Sequence, residues 1–292
     1  MEVAVPPEVR EAGRATQILR RLQARQFTLL EIGGLVVVAL VLLAVAAASI
    51  ISPIDPAAQD FNSRLLPPSA DHPFGTDQLG RDQLSRVLHG GRVSIVMGVL
   101  IIAIGGTMGL IAGATAGFLG GIIDEAIMRI ADVFLSFPSI MLALVVAASL
   151  GPNLQNAAIA IAVAWWPFYA RIVRGQVISV RDRDFVTATR TLGASEARIL
   201  LRTVLPNSLG VIRLVFVLDI GFAIIAGSTL SFLGLGVSPP TPEWGLMIRE
   251  AMMHSEAWWM MVFPGLAVVM LVSAINFAGG VLTRTGAEAA VR

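Results

Sequence analysis

Long apolar runs separated by short polar intervals recur along most of the chain, and they restrict it to a membrane-spanning helical fold. Phe27–Ile51 is interrupted only by Glu31 and is long enough to cross a hydrocarbon core, which takes about 20 residues. In lipid every backbone N–H and C=O must be satisfied within its own segment, so such runs are read as helices. Further runs begin at Ser94 and near Ile130, at Asn156, at Val211 and near Trp259. The expectation is an all-α polytopic membrane protein with about six transmembrane helices. Composition agrees: 55% of residues are hydrophobic, 14% are charged, and the mean hydropathy is +0.77. Phe27–Ile51 is too long for a cleavable signal sequence and is expected to remain as a span.

Charge and residue usage exclude several functions. Net charge is only +1, so no overall field draws nucleic acid. There is no Cys, hence no disulfide and no thiolate metal site. Every basic residue apart from His is Arg. Without Lys there is no P-loop and no Schiff base, so any ATP used is bound by another chain. No HExxH, GxSxG or Ser–Lys set supports an intramembrane hydrolase, and no catalytic residue, metal ligand set or cofactor site is assigned.

Local signals set finer expectations. In the proline-rich outer segment, Thr76 or Asp77 is expected to cap an amphipathic helix ending at Gly90–Gly91. Gly105, Gly109, Gly113 and Gly117 recur every fourth residue, a stripe that lets helices approach closely. Arg129 and Asp132 are spaced to pair on one helix. Phe137–Pro138 predicts a kink. Asp219 lies mid-span, with two open readings: it lines a translocation path, or it pairs with a polar group on another helix. His254 beside Met252 and Met253 is read as a surface patch rather than a soft-metal site.

Asp184–Pro206 is the longest charged interval between apolar blocks. Gly193 interrupts it, Ser195 is a plausible N-cap, and Glu196–Val204 is read as a short amphipathic helix that Pro206 stops. Such a helix either rests on the membrane surface or docks on a soluble partner.

Two sets of residues carry a resemblance. His72–Asp77, Leu79–Asp82, Leu84–Arg86, and Gly90 or Gly91 with Arg92 and Ser94 resemble the signature of dipeptide/oligopeptide/nickel ABC-importer permeases, specifically the C-type subunit. Thr187-Ala188-Thr189, Gly193 and Leu205-Pro206 resemble the EAA loop of such permeases, with Thr187, Thr189 and Thr203 departing from its pattern. Near the C-terminus Asn276–Gly280 replaces the family's acidic series, and its Asp is missing.

The resemblance covers roughly residues 28–282. It implies a type I importer permease subunit for dipeptides or oligopeptides, with nickel or haem as alternatives and a self-contained ion-coupled carrier as a rival of another class. The implied organisation is a cytoplasmic tail (1–26), a first helix (27–51), an extracytoplasmic segment (52–93), a permease core (94–285) with a coupling loop (175–208), and a C-terminal tail (286–292). The implied partners are a second permease subunit in a heterodimer, two ATPase subunits or one fused ATPase that bind ATP and Mg, an external binding protein and membrane lipid. Thr187, Ala188, Leu192, Gly193, Ala194, Leu205 and Pro206 become the ATPase-coupling residues. Arg-rich connections put both termini in the cytoplasm of a prokaryotic plasma membrane by the positive-inside rule.

Overall fold

The computed structural model describes residues 32–291, with side chains as far as residue 279. The expected 1–26 tail and the start of the first span lie outside the described residues. Residues 32–291 are mostly helical. Among the described residues four helical runs are long and apolar enough to cross a membrane, and a bent pair of helices makes a fifth if its two halves form one span. Where the first span is expected stand α1 (Ile32–Ala46) and the short α2 (Ala48–Ile51). Arg92 donates to the Val45 and Ala46 carbonyls at 2.8 and 2.7 Å and so satisfies the end of α1.

The longest single helix is α3 (Gln83–Leu119). Its N-cap is Asp82, which accepts from the Ser85 amide at 2.8 Å. Neither Thr76 nor Asp77 caps it, because Asp77 instead accepts from the amides of Leu79 and Arg81. Nor do Gly90 and Gly91 end it. A Cβ at Gly91 would lie 2.7 Å from Val45 and 2.8 Å from Trp244, so the pair marks close approach rather than a stop. At 37 residues the helix is ~55 Å long. It crosses the bilayer and carries its first turns into the outer segment. It ends at Gly120, whose φ of +66° a side chain would disfavour.

After Gly120 come α4 (Gly121–Leu135) and α5 (Ser139–Leu150), bent by 87° at the expected Phe137–Pro138 break. Then α6 (Leu154–Arg181) starts at Asn153, whose side chain accepts from the Gln155 and Asn156 amides. It continues through Pro167 as far as Arg181. The glycine stripe of α3 faces α6. A Cβ at Gly105 would lie 3.2 Å from the Ala162 Cα, and one at Gly117 would lie 2.8 Å from the Arg174 carbonyl. At Gly109 and Gly113 it would collide with Tyr169 and Ala170. All four glycines are buried.

Beyond α6 lie the short helices α7 (Asp184–Thr191) and α8 (Glu196–Ile199). The expected stop at Pro206 does not occur. A π-helical turn, Leu200–Val204, runs straight into α9 (Leu205–Phe232). Pro206 sits in the first turn of α9, where a missing N–H costs little. The remaining helices are α10 (Trp244–Ala251) and α11 (Trp259–Val291). The main core lies between α3, α5, α6 and α9 and includes Met97, Ile101, Ala147, Ile161, Tyr169 and Leu230. Many large apolar side chains point outward, among them Ile111, Val133 and Val145; in a membrane these meet lipid or another subunit.

The outer segment is tied to the last two helices. Trp259 Nε1 donates to the Thr76 carbonyl at 2.9 Å, and Phe74 stacks on Phe263 with ring centroids 3.9 Å apart. Beneath lies a buried charge quartet. Arg81 Nε reaches Asp77 at 2.6 Å, while Arg81 and Arg86 reach the same Glu250 oxygen at 3.1 and 2.9 Å. Arg86 Nε lies 3.3 Å from Asp77 without hydrogen-bond geometry. Two cations and two carboxylates therefore balance out of water.

Candidate functional site

Two features of this scaffold have the form of working sites: a hairpin at one end of the bundle and a cavity at its middle. The hairpin is α7–turn–α8. Its inner side is apolar and fixed: Val186, Ile199 and Val204 are fully buried and join Phe118, Val173 and Val177 beneath the bundle. The turn at its tip is Leu192–Gly193–Ala194. Gly193 takes φ +84°, and the space beside its Cα is open. Its amide donates to the Arg190 carbonyl at 3.0 Å, and the Ala194 amide donates to Thr189 at 3.4 Å.

Leu192 projects from this turn at 88% exposure, the most exposed apolar side chain of the interval. Arg190 braces the hairpin through paired bonds to Glu196 of 2.7 and 3.0 Å. That carboxylate pushes the Arg190 guanidinium pKa up further. Ser195 occupies the N-cap position of α8, but its side chain makes no capping bond. Thr187 and Ala188 are exposed on α7, and Leu205 and Pro206 open α9 at the base of the hairpin. The coupling-loop residues named from sequence are thus brought to one end of the molecule. Asp219 lies elsewhere.

Arginines on α6, the helix that leads into the hairpin, tie it to α4 and α3. Arg174 holds Asp124 of α4 with two bonds of 2.5 and 2.6 Å. Arg171 pairs with Asp132, and Arg181 donates to the Gly117 and Phe118 carbonyls at the end of α3. This corrects the expected Arg129–Asp132 pair: Arg129 bonds Glu125 one turn back, and Asp132 takes a partner from another helix. Sequence reasoning missed the set, although positions 171, 174 and 181 fall on one helical face. It also missed Glu243, a fully buried carboxylate that caps α10. Glu243 accepts from Ser94, Ser228 and the Leu246 amide at 3.0, 2.8 and 2.9 Å.

The cavity holds about 380 Å³ and is lined by Leu135, Ser139, Trp165, Phe168, Asp219 and Phe222, with Ala164. It lies between the α4–α5 elbow, α6 and the middle of α9. Asp219 is half-buried there. The buried Tyr169 hydroxyl on α6 is near its carboxyl but makes no hydrogen bond to it. Both sequence readings of Asp219 thus have a counterpart: a cavity wall and a polar neighbour on another helix. At the end opposite the hairpin, Met252 and Met253 are exposed, and His254 lies 3.9 Å from Glu256. Among the described residues no three His, Cys, Asp or Glu side chains converge as a metal site.

The profile described as "Binding-protein-dependent transport system inner membrane component" matches residues 105–285. The chain belongs to this family. As one of these inner membrane components, it has similar relatives among curated proteins. One is the "Probable D,D-dipeptide transport system permease protein DdpC" of Escherichia coli K12. It is 43% identical over 251 residues, covering 86% of this chain and 84% of the relative. The di/tripeptide transport system permease protein DppC of Pseudomonas aeruginosa is 40% identical, with coverages of 85% and 84%. The nickel transport system permease protein NikC of Escherichia coli K12 is 41% identical, with coverages of 85% and 90%. Among solved structures, an inward-facing conformation of the MetNI methionine ABC transporter matches with a TM-score of 0.57. It is 20% identical and covers 69% of this chain and 96% of that one, which speaks to the fold.

Proposed function

We propose that this permease forms one half of the translocation path of an ABC importer for dipeptides or oligopeptides, and that its Leu192–Ala194 turn seats in an ATPase subunit. The observation that carries the proposal is the exposure of Leu192 at the tip of a hairpin whose other side is locked into the bundle. A tip on a rigid base transmits displacement, whereas a loose loop absorbs it. ATP and Mg belong to the ATPase partner, whose closure would push the hairpin. Arg171, Arg174 and Arg181 would pass that push to α4 and α3, shifting the populations of inward- and outward-open states.

The second permease subunit, as a heterodimeric partner, would cover part of the outward apolar face. The external binding protein would meet the platform built from the outer segment and α10. With the hairpin in the cytoplasm, both termini lie on the cytoplasmic side. Peptides are favoured as cargo by the relatives named for peptide transport. Nickel is the second reading, from the relative named for it.

The test reconstitutes the chain with its second permease, ATPase and binding protein, and measures uptake of a labelled dipeptide and of nickel ions. ATP-dependent peptide uptake, lost in Gly193→Arg while the complex stays assembled or lost together with ATPase binding, is the expected result. Uptake that proceeds without any ATPase subunit overturns the reading in favour of a self-contained carrier.

A further inference from the structure

The three aspartates on helices α4 and α9 are treated differently by the fold. Asp124 is held by Arg174 and Asp132 by Arg171. Among the described residues no cation pairs with Asp219. Yet it sits midway along α9, where an ionised carboxylate is costly in lipid and acids commonly mark a transport path. Near it, the fully buried Tyr169 hydroxyl has no hydrogen-bond partner among the described residues. In front of it lies the cavity, with Trp165, Phe168 and Phe222 as aromatic walls.

We infer that this cavity is a transient subsite for the ammonium group of the travelling peptide, with Asp219 as its counter-charge. The inference rests on the peptide-importer reading. A carboxylate supplies the opposite charge, and aromatic faces attract an organic cation through their quadrupoles. A volume of about 380 Å³ is at the small end of ligand sites, suited to the end of a peptide rather than its whole length. One carboxylate and the Ser139 hydroxyl are a poor set for a nickel ion, which draws on several imidazole or carboxylate ligands. Such a site must bind weakly enough to release, as conduction requires of any intermediate stop.

The experiment uses the full reconstituted complex with saturating binding protein, comparing wild type, Asp219→Asn and Asp219→Glu. Uptake of alanyl-alanine, of its N-acetylated form and of nickel ions is measured per ATP hydrolysed, and co-purification of the second permease is checked. The expected result is an about tenfold loss of alanyl-alanine uptake per ATP in Asp219→Asn. Asp219→Glu should rescue it largely, with assembly intact and the uptake of the N-acetylated peptide, where detectable, unchanged by the substitution. Equal loss for both peptides, or none for either, overturns the subsite and leaves the importer reading standing. Loss of the second permease from Asp219→Asn also overturns it, because Asp219 then pairs across the subunit interface. Nickel uptake that falls while peptide uptake does not would assign the carboxylate to a metal cargo. A wild-type complex that imports no peptide overturns the parent reading and the subsite together.

Discussion

Replacing Glu250 with Gln should destabilise the outer platform severely. Asp77, Arg81 and Arg86 are each about 1% exposed at the side chain, and Glu250 14%. In the native quartet two guanidiniums face two carboxylates. Glu250→Gln keeps the shape and one acceptor oxygen but leaves two cations facing Asp77 alone. Removing one member of a buried ion pair costs about 3–5 kcal/mol, because the remaining charge is stranded out of water. Partial exposure of Glu250 and the retained amide oxygen favour the lower end, about 3 kcal/mol. For a chain of this size, each kcal/mol is worth about 2–4 °C, so the melting temperature should fall by roughly 6–12 °C. Thermal unfolding in nanodiscs, followed by fluorescence of Trp244 and Trp259, reads this directly. Arg86→Gln added to Glu250→Gln should restore part of the loss, with a coupling energy of roughly 1–3 kcal/mol. A shift under about 2 °C, or strict additivity of the two substitutions, would refute the claim that the quartet acts as one unit.

At the glycine stripe, Gly109→Leu should prevent α3 from packing on α6, seen as loss of monodisperse protein on size-exclusion chromatography; unchanged elution and stability would show that the helices can move apart freely. Asp124→Ala should cost about 1–2 kcal/mol by breaking the paired bonds from Arg174, and it should lower ATP-driven uptake more than ATPase binding. Equal losses in both assays would remove Arg174 from the transmission route. Trp259→Phe keeps the stacking surface but loses the bond to Thr76, so a loss of about 1 kcal/mol is expected, read as a small drop in melting temperature with uptake retained.

Hydropathy made the spans legible, because lipid leaves the backbone few options. The Phe137–Pro138 break was readable from proline's local geometry. Misreadings arose where a distant partner overrode a local rule. Gly90–Gly91 looks like a helix stop, yet Val45 and Trp244 fill the place of a Gly91 Cβ inside α3. Arg129 and Asp132 have helical spacing, but each takes a different partner. Pro206 should end a helix that runs into it, and instead a π turn lets the chain pass into α9. The hairpin could be located from its charge and from Gly193. The exposure of Leu192 and the burial of Val186 and Ile199 beneath it depend on tertiary packing. The cavity at Asp219 combines α4, α5, α6 and α9, and no single stretch encodes it.

The most direct measurement of the account is a cross-link from the hairpin tip. The chain has no cysteine, so Leu192→Cys introduces its only thiol. In the assembled importer, a short thiol-to-thiol or photoreactive cross-linker at this position should capture the ATPase subunit, and the yield should change when ATP is bound. The same reagent at an exposed position on the opposite end, Met253→Cys, should not. Capture from Met253 but not from Leu192, or no ATPase capture from Leu192 in an actively transporting complex, would contradict the assignment of this hairpin as the coupling element.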